Sequence, residues 1–455
     1  MLFAPAALAL VRHAVLATFP GAIAVPSMAV RTYFMPPAYF LVLAAVMKVS
    51  GFGLLQIRLV SFFCGMTALA FVYLTLRAVA VRPAMATIAV LLLLIDEPWL
   101  EASRFGRMEA LVMAFVAAGS YCYVRYLATS TRRWALGAGV CAAVAAATHP
   151  LGLALAIAML VDRARRAFCG ERRPVSDQLV LFLPLALVIV GWGMYIAQDP
   201  AGFAAQIHSQ LVRKTAGGAA GRLIQLLAET SPLFNAPYAI EGGLIAAAAL
   251  RRLRGRPTAA GFLTVLASIG AAGALYGAIH PYLAYLGFYA WLVLPLLVGP
   301  APPRYRLHFG WVAVIAVVTL AVARNLLADG YLITAYHDSG PSAGYNRATA
   351  TINSIIPAGA MIFDASGATP YFEMVQNRDD RRFIFPIGEG MPMGQRIAYA
   401  DYAIVDYRNG TSLIETWYPD IATYLSQHGT LVGTVRRDCV GCPESYVWKV
   451  FRLAP

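Results

Sequence analysis

In this chain of 455 residues the groups able to do chemistry fall into a few short stretches. The richest is Asp96-Glu97-Pro98-Trp99-Leu100-Glu101-Ala102-Ser103-Arg104-Phe105-Gly106-Arg107-Met108-Glu109, where four carboxylates and two guanidiniums crowd together. Carboxylates can take a proton from an attacking hydroxyl, and guanidiniums can stabilise charge on a departing group. Arg104 follows Glu101 by three residues and Arg107 follows Arg104 by three, so one helical face could also neutralise itself. Both readings stay open. Glu109 stands apart, because it begins an apolar run and must face protein or a cavity.

A second stretch, Phe203-Ala204-Ala205-Gln206-Ile207-His208-Ser209-Gln210-Leu211-Val212-Arg213-Lys214, holds cations with no neighbouring acid. His208 and Arg213 suit a phosphate, with Arg213 as a planar two-pronged donor, although a solvated loop face has the same composition. A third, Tyr33-Phe34-Met35-Pro36-Pro37-Ala38-Tyr39-Phe40, leads into an apolar run. Paired prolines open helices, so by themselves these residues read as a helix start at a membrane surface. His149 and His280 read as structural histidines. Tyr282, Tyr285, Tyr289 and Trp291 follow the pattern of an interfacial aromatic belt.

Cys64, Cys122, Cys141 and Cys169 read as small apolar fillers. Cys439-Val440-Gly441-Cys442 has no second ligand pair, so a hairpin disulfide between Cys439 and Cys442 is the leading reading and no metal site is expected. No Ser/His/Asp order and no H-E-x-x-H motif occurs, and no cofactor is expected.

The elements that must position these residues follow from composition. The chain is 59% hydrophobic and 13% charged, with a net charge of +13. Soluble proteins carry about twice that share of charge, so a water-soluble enzyme is excluded, and disorder is excluded by the apolar content. The charge excess reads as loop charge flanking membrane spans rather than as a nucleic-acid surface.

Runs of about 20 apolar residues mark the spans. Gln178 to Ala197, Thr258 to Ile279 and Tyr282 to Gly299 are uncharged; Leu59 to Leu76, Ala84 to Ile95, Ala110 to Val124, Tyr238 to Leu250 and Leu307 to Ala323 are also candidates. Trp134 to Val161 is broken at Thr148-His149-Pro150 and reads as two short helices in a hairpin. Counting it as two crossings puts Arg77/Arg82, Arg125/Arg132/Arg133, Arg163 to Arg173, Arg251 to Arg256 and Arg304/Arg306 on one side, the cytoplasmic one.

The fold class is therefore an all-α polytopic membrane protein of about ten transmembrane helices plus a surface helix, with a small C-terminal α/β extracytoplasmic domain. Residues 1–56 form an extracytoplasmic loop and the surface helix. Residues 57–326 form the helical membrane domain, with outer loops 96–108 and 199–233. Residues 327–455 form the outer domain, with strands expected at Ala360–Asp364, Asp401–Asp406, Leu431–Val435 and Tyr446–Leu453 and a helix at Ile414–Gln427. The chain ends outside, and a bacterial inner membrane is the expected location.

Taken in order, these motifs resemble the polytopic GT-C glycosyltransferases that use polyprenyl-phosphate sugars. That family includes the protein O-mannosyltransferases and the bacterial aminoarabinose and galacturonic-acid transferases of lipopolysaccharide. Pro36-Pro37-Ala38-Tyr39-Phe40, then Gly51-Phe52-Gly53 and Arg58, is similar to the family's first outer loop, surface helix and second span. Ser103-Arg104-Phe105-Gly106-Arg107-Met108-Glu109 is similar to its third-to-fourth span junction, where an acidic residue faces the active cavity. Thr148-His149-Pro150 resembles its short-helix hairpin, and His208 and Arg213 lie where the family places cations near the donor phosphate.

The resemblance implies a membrane glycosyltransferase acting on the extracytoplasmic face. Its donor is a polyprenyl-phosphate sugar and its acceptor a lipid, polysaccharide or protein. Glu109 is the implied catalytic residue, with Tyr33, Pro36, Pro37, Tyr39, Arg104, Arg107, His208 and Arg213 binding substrate. Family members carry one more leading span and an Asp-Glu loop that supplies a catalytic Asp. This sequence has no acid before Asp96, and Asp96-Glu97 stands in a different loop. The expectation is that the sequence starts too late or belongs to a catalytically impaired relative. A membrane scaffold and a lipid flippase are the competing readings. The flippase predicts an inverted internal repeat, of which the sequence has no trace.

Overall fold

The computed structural model describes residues 3–18, 25–104, 106–171, 174–215, 232–252, 257–277, 280–298, 351–365, 382–384, 393–408, 412, 415, 419–437 and 446–454. Helices dominate: α1 (Phe3–His13), α2 (Ala38–Ser50), α3 (Leu54–Ala78), α4 (Pro83–Leu94), α5 (Glu97–Arg104), α6 (Met108–Thr129), α7 (Arg132–Thr148), α8 (Leu153–Phe168), α9 (Val175–Ile196), α10 (Pro200–Thr215), α11 (Pro232–Arg252), α12 (Ala259–Gly277) and α13 (His280–Val298). Residues 1–56 thus contribute a helix of their own, α1, where a loop was expected, and much of the loop expected over 199–233 is α10.

Four described helices, α3, α6, α9 and α12, are long and apolar enough to cross a bilayer; α4 and α5, bent by 68° at the break between them, reach that length only as a pair. The other crossings expected from the sequence include shorter helices such as α7 and α8, and Leu307 to Ala323, which lies outside the described residues. α9 exposes Leu179, Leu183, Leu187, Ile189, Val190 and Met194, an apolar surface of the kind a lipid bilayer covers. Its inner side meets α7 at Gly139, where the Leu181 carbonyl comes so close that a Cβ would collide with it.

The break at His149 is a tight hairpin. Pro150–Gly152 forms a single 3-10 turn, with the Leu151 N–H donating to His149 Nδ1 at 3.1 Å. Gly152 lies against the Ala145 carbonyl and leaves no room for a side chain. α7 then continues toward α6 and α9, while α8 turns to α12.

α1 and α2 pack together beside the bundle. Phe3 meets Phe34, Tyr39 and Phe40 at ring-centroid distances of 6.5, 5.5 and 6.1 Å. α2 buries Tyr39, Phe40, Leu43, Ala44 and Met47 and is too short to span.

The C-terminal domain is a five-stranded sheet built from β1 (Met361–Ala365), β2 (Arg382–Ile384), β3 (Tyr402–Arg408), β4 (Gly429–Arg437) and β5 (Tyr446–Leu453), in the order β2-β1-β3-β5-β4. β1 pairs in parallel with β2 and β3, and β5 pairs antiparallel with β3 and β4. Alternation sends Ile362, Ile404 and Val450 to one face and Phe363, Ala403 and Val405 to the other. The first face belongs to the same apolar cluster as α1 and α2, so the sheet and the N-terminal layer share a core. β2, three residues long, is too short for its period to be read from sequence. The helix expected over Ile414–Gln427 begins at Pro419 and runs to His428; Ile414 lies outside the described residues. Cys439 and Cys442 also lie outside them.

Candidate active site

The site is built where α5 turns into α6. Gly106 adopts φ +69°, a conformation that favours glycine, and a Cβ there would stand 2.5 Å from Ile57 Cγ2. This turn ends α5 at Arg104 and restarts the chain with Arg107 extended at the N-cap of α6. The helical face suggested by the Glu101-Arg104-Arg107 spacing therefore does not exist, because the helix stops before Arg107. Ser61 Oγ on α3 donates to the Arg107 carbonyl at 2.9 Å and holds the turn in place.

Arg107 folds over Glu109, two residues on. Its Nε and Nη2 donate to Glu109 Oε2 and Oε1 at 3.1 and 2.8 Å, a two-pronged pair. Glu109 is fully buried, whereas the Arg107 side chain keeps about a third of its exposure (32%). Burial works against the Arg107 charge. The Glu109 carboxylate, its hydrogen bonds and Glu101 outweigh that and raise the guanidinium above its ordinary range.

Tyr39 and Tyr285 are buried within electrostatic reach of Glu109, and Tyr282 lies within reach of Arg107 and Tyr285. The Tyr285 hydroxyl makes no hydrogen bond among the described residues, and the Tyr39 hydroxyl lies beside Ser61. His149 packs its ring 5.6 Å from Tyr282 and 6.5 Å from Tyr285. The structure thus overturns the reading of Tyr282, Tyr285, Tyr289 and Trp291 as a membrane-surface belt, since all four are buried. Aromatic spacing along one helix cannot distinguish a lipid interface from a protein interior. The three-residue step from Tyr282 to Tyr285, on one helical face with no charge nearby, was the available hint.

Asp96 is structural here. It is buried at the start of α5, accepts from the Trp99 N–H at 3.2 Å, and accepts from Trp291 Nε1 on α13 at 3.3 Å. Gly287 permits that approach, because a Cβ there would lie 2.8 Å from both carboxylate oxygens. α5 is thereby tied to α13, the helix that carries Tyr282 and Tyr285.

The remaining expected residues divide. Pro36 and Pro37 are half-buried and open α2, with Pro37 at its N-cap, which directs Tyr39 inward. Arg104 is half-buried at the end of α5. Tyr33 points elsewhere, into Trp192, Tyr195 and Phe203 at 6.4, 5.1 and 6.2 Å. On α10 the connecting residue is Gln206, not His208. Gln206 accepts from the Tyr33 N–H at 2.7 Å and donates to the Arg31 carbonyl at 2.8 Å and Ser27 Oγ at 3.0 Å. His208 is exposed on the same helix, and Arg213 lies in its last turn. Among the described residues no group of His, Cys, Asp and Glu could hold a metal ion.

Comparison with known proteins places this geometry in context. Residues 35–196 match the family model described as dolichyl-phosphate-mannose-protein mannosyltransferase. No curated protein matches the chain significantly. The crystal structure of ArnT from Cupriavidus metallidurans in the apo state superposes with a TM-score of 0.56 at 13% identity, over 99% of this chain and 92% of that one. The archaeal oligosaccharyltransferase AglB from Archaeoglobus fulgidus gives a TM-score of 0.45 at 13% identity, over 98% and 69% of the two chains. The protein O-mannosyltransferase Pmt1-Pmt2 complex of S. cerevisiae gives 0.31 at 21% identity, over 45% and 34%. The fold is thus similar to that of ArnT, and the α2-to-α9 region carries the sequence pattern of the mannosyltransferase model.

Proposed function

We propose that the chain is a membrane glycosyltransferase that moves a sugar from a polyprenyl-phosphate donor to a hydroxyl acceptor, with its site at the α5–α6 turn. The observation that carries this reading is a fully buried carboxylate near two buried tyrosines, Tyr39 and Tyr285, the second with a hydroxyl that has no hydrogen-bond partner among the described residues. Those residues, Glu109 and Tyr39, fall inside the stretch that matches the mannosyltransferase model.

In the reaction the acceptor oxygen bonds to the anomeric carbon while the anomeric carbon–phosphate oxygen bond breaks, and the polyprenyl phosphate leaves with the bonding pair. The proton of the acceptor hydroxyl passes to a carboxylate, the role assigned here to Glu109. Arg107 fixes the orientation of that carboxylate. The Tyr39 and Tyr285 hydroxyls bind sugar or acceptor oxygens, and Arg104, His208 and Arg213 supply positive charge toward the departing phosphate. Pro36, Pro37 and Tyr33 shape the wall formed by the N-terminal layer. The site opens on the extracytoplasmic side, opposite the end where the arginine clusters gather. A lipid-borne donor accounts for a catalyst embedded in a membrane.

One observation favours a second reading. Both oxygens of Glu109 are already engaged by Arg107, as in a purely structural staple. Membranes containing the full chain, incubated with labelled polyprenyl-phosphate sugars, decide between the two. Glu109→Gln keeps the shape and removes the base, so it should cut transfer by about 10²–10⁴-fold while labelled donor still binds. Transfer at the parental rate would leave Glu109 as a staple only. No transfer by the parental chain with any donor would remove the transferase assignment.

A further inference from the structure

A second polar cluster lies at the opposite end of α6, about 21 Å from Glu109 at the helical rise of 1.5 Å per residue. Its centre is Asp162 of α8, which is fully buried. Asp162 accepts from the Tyr123 hydroxyl at 3.1 Å, from Arg166 Nε at 2.7 Å and from Arg165 Nη2 at 3.5 Å. Arg166 also reaches half-exposed Glu171 at 2.8 Å. Arg163, 6% exposed, donates through Nη2 and Nε to the Gln178 side-chain oxygen on α9 at 2.7 and 3.0 Å.

Arg165 and Arg166 thus share two carboxylates, while Arg163 is met by a neutral amide. Three N–H groups stay buried with no partner among the described residues: Arg163 Nη1, Arg165 Nε and Arg165 Nη1. Arg165 is not swinging in solvent. Its guanidinium lies on the first turn of α12, where a Cβ at Gly261 would stand 2.5 Å from Nη2 and 3.3 Å from both Cζ and Nη1. The first turn of a helix is itself electropositive, so the arginine is stacked where cations are disfavoured. A buried cation with unmade hydrogen bonds is costly, and an anion at this point relieves both penalties at once.

We propose that this arginine cluster, where the end of α8 lies on the start of α12 and reaches Gln178 of α9, binds the phosphate group of an anionic lipid in the adjoining leaflet. Arg165 is its principal donor and Arg163 flanks it. Position decides for a lipid over a free phosphate. α8 turns Ile157, Leu160, Val161 and Phe168 outward, the last 92% exposed, so acyl chains have an apolar surface beside the arginines. Basic pockets between spans at a membrane face take lipid headgroups in this way. The site is independent of the proposed transferase reaction.

The test uses the purified full chain in phosphatidylcholine nanodiscs, with phosphatidylglycerol added and lipid retention read by native mass spectrometry. Retention of phosphatidylglycerol over phosphatidylcholine is expected. Arg165→Lys keeps the charge but removes the fork, and Arg165→Gln removes both; they should lower retention by about tenfold or more in that order, as loss of charge-assisted bonds implies. Arg133→Gln is the control, because exposed Arg133 lies over the Trp134 ring at the same end of the bundle. If Arg165→Gln does not fold, the Lys variant carries the test. Equal losses in Arg133→Gln and Arg165→Lys would overturn the site in favour of general surface charge. Displacement of the lipid by millimolar inorganic phosphate would overturn the lipid assignment, and unchanged retention in both Arg165 variants would overturn the proposal entirely.

Discussion

Arg107→Ala isolates the physics of the α5–α6 turn, because it removes both hydrogen bonds that Glu109 receives. Breaking a buried pair from one side costs about 3–5 kcal/mol, since the remaining charge is left unpaired in a poor solvent. Glu109 is fully buried, but Arg107 is 32% exposed, so water reaches part of the vacated space. We therefore expect about 2–4 kcal/mol of destabilisation in the single variant. Glu109→Gln leaves an amide that still accepts from Arg107, and should cost less, about 1–2 kcal/mol, in line with a charged partner facing a neutral one. The informative arm is the double variant Arg107→Ala/Glu109→Gln. With no charge left to strand, it should be more stable than Arg107→Ala alone by about 1–2 kcal/mol. Equilibrium unfolding of the full chain in mixed micelles of increasing SDS fraction measures all three on one scale. If Arg107→Ala costs no more than about 0.5 kcal/mol, the range of an exposed pair, the contact is a surface salt bridge and the buried-site reasoning fails. A double variant less stable than either single would refute it by another route.

Two further outcomes follow from the same geometry. Gly106→Ala should lose about 1–3 kcal/mol, from a residue with positive φ and from the clash with Ile57. Pairing it with Ile57→Ala, which removes the clashing Cγ2 methyl, and reading the pair against Ile57→Ala alone in the same titration should recover only the steric share; full recovery would show that backbone conformation is not the constraint. Gln206→Ala should free the Ser27–Tyr33 segment by removing its three contacts. Limited proteolysis should then cut there several-fold faster while the helical bundle melts unchanged, and an unaltered cleavage rate would mean that the Tyr33 ring contacts suffice to hold the segment.

Much of the helical framework was legible in the sequence because a bilayer imposes a coarse and unambiguous rule. The uncharged run from Gln178 to Ala197 appears as Val175–Ile196, and Thr258 to Ile279 as Ala259–Gly277. The His149-Pro150 break was readable for the same reason: proline and the residue before it resist continuous helix. Some of the arginines expected together do lie together: Arg132 on α7 and Tyr126 on α6 both meet Asp177 on α9, and Tyr123, one turn earlier on α6, meets Asp162 beside Arg165 and Arg166 of α8. In the C-terminal domain, strand positions followed from alternation. The sheet order did not, because β1, β3 and β5 pair across long stretches of intervening chain.

The site was legible only in part, for a different reason. Glu109 drew attention as an acid at the start of an apolar run, a signal that needs no partner to be recognised. Its partner did not: the choice between Glu101-Arg104-Arg107 and Arg107-Glu109 turned on one residue, Gly106, whose backbone conformation ends the helix. The tyrosines of α13 were misread because burial depends on which helices stand beside them. His208 drew attention by its chemistry while Gln206, two residues earlier, turned out to make the contacts.

From residue types alone one obtains an embedded helical protein with a small C-terminal domain, because transferring apolar and charged groups between water and lipid has a sign that no arrangement reverses. Which acid meets which base, and which ring faces a pocket rather than lipid, is settled only when α5 is tied to α13 through Asp96 and Trp291 and bent away from α6 at Gly106. Those contacts join residues up to 195 positions apart. Local propensity carries no information over that distance, and close packing does.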